Sequence, residues 1–281
     1  MKSIKEILEL SEKYLKEKKV LSPRLSSELI VSYVLGCKRL EIYLNIEKPL
    51  LENEIDEIRA LIRRRGRGEP LDYLMGSSEF YGCKIELTKD VLIPRPETEE
   101  MVSLIEDSLK DEVLDNKVLW DVCCGSGCIA IALKKKFPKL KVFASDISLN
   151  ALELAAKNAS KNGVDVIFKK GDLLAPFDEK ADFVVCNPPY VSEEEYQNLS
   201  LEVKDFEPKI ALVAKEKGLE FYKRMARDLP SRLRKHGKVF FEIGYLQADF
   251  VKEIFSSEIW ISKKVFKDCF QKDRFFFLEI E

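Results

Sequence analysis

Ala181-Asp182-Phe183-Val184-Val185-Cys186-Asn187-Pro188-Pro189-Tyr190 is the stretch that decides the fold. Its first six residues form an apolar run that reads as a buried strand. Asn187 then stands at the carboxyl end of that strand, where open α/β sheets bind their ligands. Pro188 pushes Asn187 into an extended conformation, and Pro189 does the same to Pro188. Neither proline has an N–H, so the corner is rich in acceptors. The Asn187 side chain and the Pro188 backbone each offer a carbonyl, and Tyr190 adds a flat ring. Such a corner can hold an –NH2 group by both hydrogens and cover it with an aromatic face. It can equally be a rigid turn after a strand.

Around this stretch, strands and helices alternate from Lys117 onward. Val118-Leu119-Trp120-Asp121-Val122 reads as a strand, Cys128 to Lys136 as a helix, Lys141 to Asp146 as a strand and Ala151 to Asn162 as a helix. Val166-Ile167-Phe168 is a further strand. After the Phe183 strand come a helix from Gly218 to Arg234, a strand from Lys238 to Ile243 and a helix from Ala248 to Phe255. Two strand-like runs follow, around Val265 and from Phe275 to Ile280. This alternation predicts a largely parallel sheet covered on both faces.

Asp121-Val122-Cys123-Cys124-Gly125-Ser126-Gly127-Cys128 joins the first of these strands to its helix. Gly125 and Gly127 allow a sharp turn and a close approach to a ligand. No Gly-Lys-Ser/Thr follows, so this is no phosphate-binding Walker loop, and Ala130 stands where a dinucleotide loop has its third glycine. Asp146 ends the next strand, about 20 residues beyond Gly127, and can accept both hydroxyls of a ribose. Asp172, followed by Leu173, comes after the third strand and can accept from an adenine amino group. Asp121 can meet an ammonium group. Each aspartate alone can be a cap or turn residue. Together at successive strand ends they suit a ligand with an adenosine end and an amino-acid end, which fits S-adenosylmethionine better than a pyrophosphate-bearing dinucleotide.

Before Lys117 the chain is different. Residues 1 to about 75 read as helices, with Leu8, Leu15, Leu25, Leu29 and Tyr33 at helix-like spacing and Ser22-Pro23 as a cap and first-turn proline. Arg63-Arg64-Arg65-Gly66-Arg67 is either a nucleic-acid patch or a solvated helix C-terminus. Glu79 to Leu87 predicts a β-hairpin, and Ile93-Pro94-Arg95-Pro96-Glu97-Thr98-Glu99 a stiffened helix start running on to Leu109. The net charge of −2 provides no general field for nucleic acid. No apolar run approaches the ~18 residues of a membrane span. The seven cysteines are odd in number and no export signal precedes them, so a reduced cytoplasmic interior is expected. Cys123, Cys124 and Cys128 lack metal-site spacing, and the only histidine, His236, reads as a surface turn residue, so neither a metal nor a triad is expected.

The chain resembles the HemK-type protein-glutamine methyltransferases that modify peptide chain release factors. The resemblance covers nearly the whole length. It is carried by Asn187 to Tyr190, by Ile93 to Glu99, and by Phe206-Glu207-Pro208 with Ala211-Leu212. Pro70 to Gly76, Glu79-Phe80 and Asp273-Arg274 also match. The Asn-Pro-Pro-Tyr tetrapeptide is shared with adenine-N6 and other amino-group methyltransferases, and the proline-arginine-proline-glutamate loop narrows the choice. The resemblance implies a seven-stranded, mostly parallel Rossmann-like α/β sheet with one antiparallel strand. It implies a helical substrate-recognition domain over residues 1–75, a hairpin linker over 76–92 and a methyltransferase domain over 93–281. S-adenosylmethionine is expected at Asp121, Cys123, Cys124, Gly125, Ser126, Gly127, Asp146, Asp172, Leu173 and Asn187, leaving as S-adenosylhomocysteine. A substrate glutamine is expected at Asn187, Pro188, Pro189 and Tyr190, with Asn187, Pro188 and Tyr190 catalytic. That glutamine lies in a release-factor Gly-Gly-Gln loop. A monomer is expected, with no membrane or direct nucleic-acid partner. Two positions depart from the family pattern: Cys123 stands where glycine is usual, and Leu173 where an aromatic can stand.

Overall fold

The computed structural model describes residues 2–281. It divides into a unit running up to Ser77 together with Ser200–Phe206, and a larger unit of Ser78–Leu199 and Glu207–Glu281.

The smaller unit is helical: α1 (Ile4–Glu17), α2 (Pro23–Val34), α3 (Glu41–Leu44), α4 (Glu52–Arg65) and α5 (Leu71–Met75). Ser3 caps α1 in a reciprocal box, accepting from the Glu6 N–H while its own N–H donates to the Glu6 carboxylate. Ile4, Leu15, Ile30, Val31, Ile55 and Ile58 form the core. The outward face of α2 differs from the expected leucine stripe. Leu25 and Tyr33 are exposed, and Ser26, Ser27 and Glu28 point inward. These polar groups are buried because each is bonded: Ser27 Oγ donates to the Pro23 carbonyl, and Glu28 accepts from Arg24, Arg39 and Tyr43. Ser22 precedes Pro23 as expected, yet sits in the left-handed region and makes no side-chain cap bond.

In the arginine run, Arg64 and Arg65 are paired with carboxylates rather than wholly solvated. Arg64 makes two hydrogen bonds to the Glu69 carboxylate. Arg65 is buried, and its guanidinium grips Glu202 of α10 (Leu201–Phe206) at 2.8 and 3.2 Å. That ion pair explains why a late segment joins the early helices. Because Glu202 remains partly exposed, truncating it leaves a buried cation with incomplete solvation. Glu202→Ala is expected to cost about 2 kcal/mol, read as a lower denaturant midpoint at unchanged m-value. No shift in midpoint would mean that Arg65 finds other partners.

A two-stranded hairpin follows, β1 (Ser77–Phe80) with β2 (Cys83–Glu86). The larger unit then runs α6 (Pro96–Leu109), β3 (Val118–Val122), α7 (Cys128–Lys136), β4 (Lys141–Asp146), α8 (Leu149–Lys161), β5 (Ile167–Lys170) and β6 (Ala181–Cys186). The short α9 (Glu193–Gln197), a 3-10 turn at Lys209–Ala211 and α11 (Lys215–Gly218) lead to α12 (Glu220–Arg232), β7 (Leu233–Glu242), α13 (Ala248–Ile254), β8 (Trp260–Lys267) and β9 (Asp273–Ile280). The seven strands lie in the order β5-β4-β3-β6-β7-β9-β8. Pairing is parallel from β5 through β7, and β9 is antiparallel to both neighbours. The chain moves outward from β3 through β5, then returns to the other side of β3 as β6. That reversal opens a crevice at the carboxyl ends of β3 and β6.

β3 and β6 are buried along their whole length, as strands covered on both faces must be. Trp120 stacks on Phe177 with centroids 4.2 Å apart. Asn158 of α8, fully buried, ties the hairpin to the crevice wall. Its oxygen accepts from the Glu86 N–H, and its amide donates to the carbonyls of Glu86 and Ser126.

Candidate active site

The loops after β3, β4, β5 and β6 surround a cavity of about 280 Å³, near the lower end of small-molecule sites. Cys123, Cys124, Gly125, Ser126, Asp146, Asp172, Leu173, Asn187 and Pro189 line it. Pro94, Arg95 and Thr98, from the proline-stiffened segment that begins α6, close another side. Asp121, Gly127, Pro188 and Tyr190 stand outside this lining.

Asp146 shapes the turn under the cavity. Its two oxygens accept from the N–H groups of Gly125 and Ser148, each at 2.9 Å. Both oxygens keep further lone pairs for a ligand's hydroxyls. Burial raises the Asp146 pKa, and the Ser148, Gly125 and Ile147 N–H groups oppose the shift. Gly125 has φ +51° and open space where a Cβ would stand, so its backbone can lie against a ligand. Cys123 (φ +62°) and Leu173 (φ +50°) hold left-handed conformations without being glycine, which costs each roughly 1–2 kcal/mol. Strain at the rim of a cavity is a mark of functional loops.

Asp121 has a different place from the expected one. It is fully buried beneath the loop, where one carboxylate oxygen caps α7 by accepting the Ala130 N–H and the other has no hydrogen-bond partner. Burial pushes its pKa up to about 8, against the Ala130 N–H and helped by Asp146. The folded state therefore holds a proton that the unfolded chain releases near pH 4. Stability conferred through this group is greatest below about pH 4 and declines as pH rises to about 8. Asp121→Asn is expected to remove that decline, so the variant's melting temperature gains on the wild type's between those limits. Parallel curves would contradict the assignment.

Asp172, expected to accept from adenine, borders the cavity and accepts from Arg224 Nη2 at 2.6 Å. Burial raises the thiol pKa of Cys124, Cys186 and Cys128, that of Cys128 to about 12, so these sulfurs are neutral near pH 7. His236, expected in a turn, lies inside β7 at a positive-φ position where the pairing with β6 is irregular; it is largely exposed, 3.9 Å from Glu279.

The Asn187 corner is held by groups to which sequence reasoning gave no role. Asn187 Nδ2 donates to Thr98 Oγ1 at 3.4 Å, and Thr98 Oγ1 donates to Glu242 Oε2 at 2.7 Å. Tyr190 Oη donates to Glu242 Oε1 at 3.2 Å, which draws it away from the cavity lining. Burial raises the Glu242 pKa, opposed by Thr98, Arg274 and Tyr190. Glu242 ends β7, the same strand-end position that singled out Asp146 and Asn187, so the signal was present. Arg95 pairs with buried Glu207, which also accepts the Ile93 N–H. That contact joins two of the sequence motifs noted above. By contrast Asp182, inside β6, is bonded to Lys117, Arg234 and the Val118 N–H, a structural anchor.

This sheet order, with a glycine-bearing loop after β3 and an acidic residue ending β4, defines a Rossmann-like methyltransferase. Residues 100–203 match the Methyltransferase small domain family, and residues 6–76 the PrmC N-terminal domain. The fold is similar to a methyltransferase from Pyrococcus furiosus (TM-score 0.53, 18% identity, 71% of this chain and 89% of that one). It is also similar to the 16S rRNA N2 G1207 methyltransferase of Thermus thermophilus solved in complex with AdoMet and guanosine (TM-score 0.52, 14% identity, 73% and 50%). The chain is 40% identical over 262 residues to the release factor glutamine methyltransferase of Chlorobaculum tepidum, covering 90% of this chain and 88% of that protein. It is 39% identical over 280 residues to the one of Bacillus subtilis, covering 98% and 96%. The chain belongs to the release factor glutamine methyltransferase family. Among the described residues, no helix is long and apolar enough to cross a membrane.

Proposed function

We propose that this chain transfers a methyl group from S-adenosylmethionine to the side-chain amide nitrogen, N5, of the glutamine in the Gly-Gly-Gln motif of peptide chain release factors. The observation that carries the reading is at the corner itself. Asn187 Oδ1 and the Pro188 carbonyl accept no hydrogen bond among the described residues, and Asn187 borders the cavity. Two unused acceptors at one corner, that of Asn187 on the cavity wall and that of Pro188 next to it in the chain, suit a group with two N–H donors.

The cofactor fits the residues present: Asp146 for vicinal hydroxyls, and Gly125 with Cys123, Cys124 and Ser126 for close backbone contact. Bound there, it supplies a methyl group on a sulfonium sulfur. The chain's own contribution is positional. A carboxamide nitrogen is a poor nucleophile because its lone pair is delocalised. Asn187 Oδ1 and the Pro188 carbonyl each take one N–H, which orients the nitrogen and favours positive charge developing on it. Tyr190, held by Glu242, backs the corner from outside the cavity wall, and Asp172 and Leu173 border the adenine end. The helical domain, residues 1–75, recognises the release factor, residues 76–92 link it, and residues 93–281 carry the transfer. The setting is cytoplasmic and the product supports translation termination.

The test is a labelled-methyl transfer assay offering purified release factor, ribosomal protein and DNA in parallel. Label in release factor alone is expected. Label confined to DNA or to ribosomal protein would contradict the reading.

A further inference from the structure

Glu242 lies at the end of β7, 1% exposed, next to the pair formed by Phe241 and Cys186 in the parallel register of β7 and β6. It is therefore beside the residue that starts the Asn187 corner. Its two oxygens face two residues of the site: Oε1 accepts from Tyr190, and Oε2 from Thr98. In its ionised form Glu242 only accepts, and a threonine hydroxyl has one hydrogen. With that hydrogen directed to Glu242, Thr98 Oγ1 can only accept from Asn187. The Asn187 amide must then turn its NH2 toward Thr98, which leaves Oδ1 as the group free for a ligand.

We propose that Glu242 is a positioning residue for methyl transfer: acting through Thr98, it sets the polarity of the Asn187 amide so that an oxygen, not an NH2, meets the acceptor nitrogen. This rests on the reading given under Proposed function. The reversed amide would set donor against donor, and the acceptor's N–H would lose its partner. Among the described residues, Thr98 is the one that bonds both Glu242 and Asn187, so this route from Glu242 to the amide passes through one hydroxyl.

The test uses an isosteric change. In Glu242→Gln, Tyr190 can still donate to Oε1, while an NH2 takes the place of Oε2. That NH2 donates to Thr98, whose hydrogen then turns to Asn187 and reverses its amide. With full-length protein and purified release factor, kcat is expected to fall roughly tenfold to a hundredfold. The Kd for S-adenosylhomocysteine, measured by calorimetry, should stay within about threefold, because Glu242 does not line the cavity. Thr98→Val breaks the same chain, so adding Glu242→Gln to it should cost much less than Glu242→Gln alone. Unchanged kcat in Glu242→Gln overturns the proposal. So do additive losses in the double variant, and so does a joint loss of kcat, cofactor affinity and melting temperature, which would make Glu242 a structural residue. If wild type transfers no methyl group to release factor, the acceptor assignment fails and this inference falls with it. Wild-type transfer alongside an unaffected Glu242→Gln overturns this inference alone.

Discussion

Replacing Asn187 by alanine is expected to lower kcat on purified release factor by at least about a hundredfold, the scale of losing one contact made in the transition state. The variant keeps Thr98 bonded to Glu242 and Tyr190 bonded to Glu242, so the buried carboxylate stays satisfied. Folding should therefore change by no more than about 1 kcal/mol, the net worth of one hydrogen bond. The loss would fall on turnover, because Oδ1 acts on an amide nitrogen that gains positive character only as its lone pair is engaged. A variant with wild-type turnover would mean that the Pro188 carbonyl suffices or that the nitrogen is held elsewhere.

Asp146→Ala should weaken cofactor binding about a hundredfold or more. A carboxylate accepting two ribose hydroxyls makes two charge-assisted hydrogen bonds, each worth about 1.5–3 kcal/mol. Water fills part of the gap in the variant, and about 3 kcal/mol of net loss corresponds to roughly a hundredfold in Kd. The same change frees the N–H groups of Gly125 and Ser148, so the loop loses its anchor as well. Calorimetry with S-adenosylhomocysteine reads the effect, and Asp146→Asn, which keeps one acceptor oxygen, should fall between. A Kd within threefold of wild type would remove Asp146 from the binding site.

The middle of the sheet was legible because its strands are short, buried, mostly apolar runs. Val118–Val122, Lys141–Asp146 and Ala181–Cys186 are bounded in the structure where their sequence patterns end. Leu25 and Tyr33 misled because helix spacing alone does not say which face is inward. The inward face of α2 carries serines that bond carbonyls of their own helix and a glutamate that also draws on Arg39 and Tyr43 from beyond it. The segment at Leu201–Phe206 was unreadable for a related reason: its place depends on Glu202 meeting Arg65 across 137 residues of sequence. At the site, Asp146 and Asn187 were visible as polar strand ends. Glu242 has that position too, but its role emerges only when β7 is laid beside β6 and Thr98 arrives from α6. Asp121 looked like its neighbours in sequence, and only burial distinguishes a helix-capping carboxyl from a ligand-facing one.

The central claim is that the Asn187 corner presents a release-factor glutamine to the cofactor. Peptide mass spectrometry of release factor incubated with the enzyme and S-adenosylmethionine tests it most directly. One added methyl group on the glutamine of the Gly-Gly-Gln loop, absent when Asn187→Ala replaces the wild type, is the predicted result. A methyl group on any other residue, or the same mark at full yield with Asn187→Ala, would contradict it.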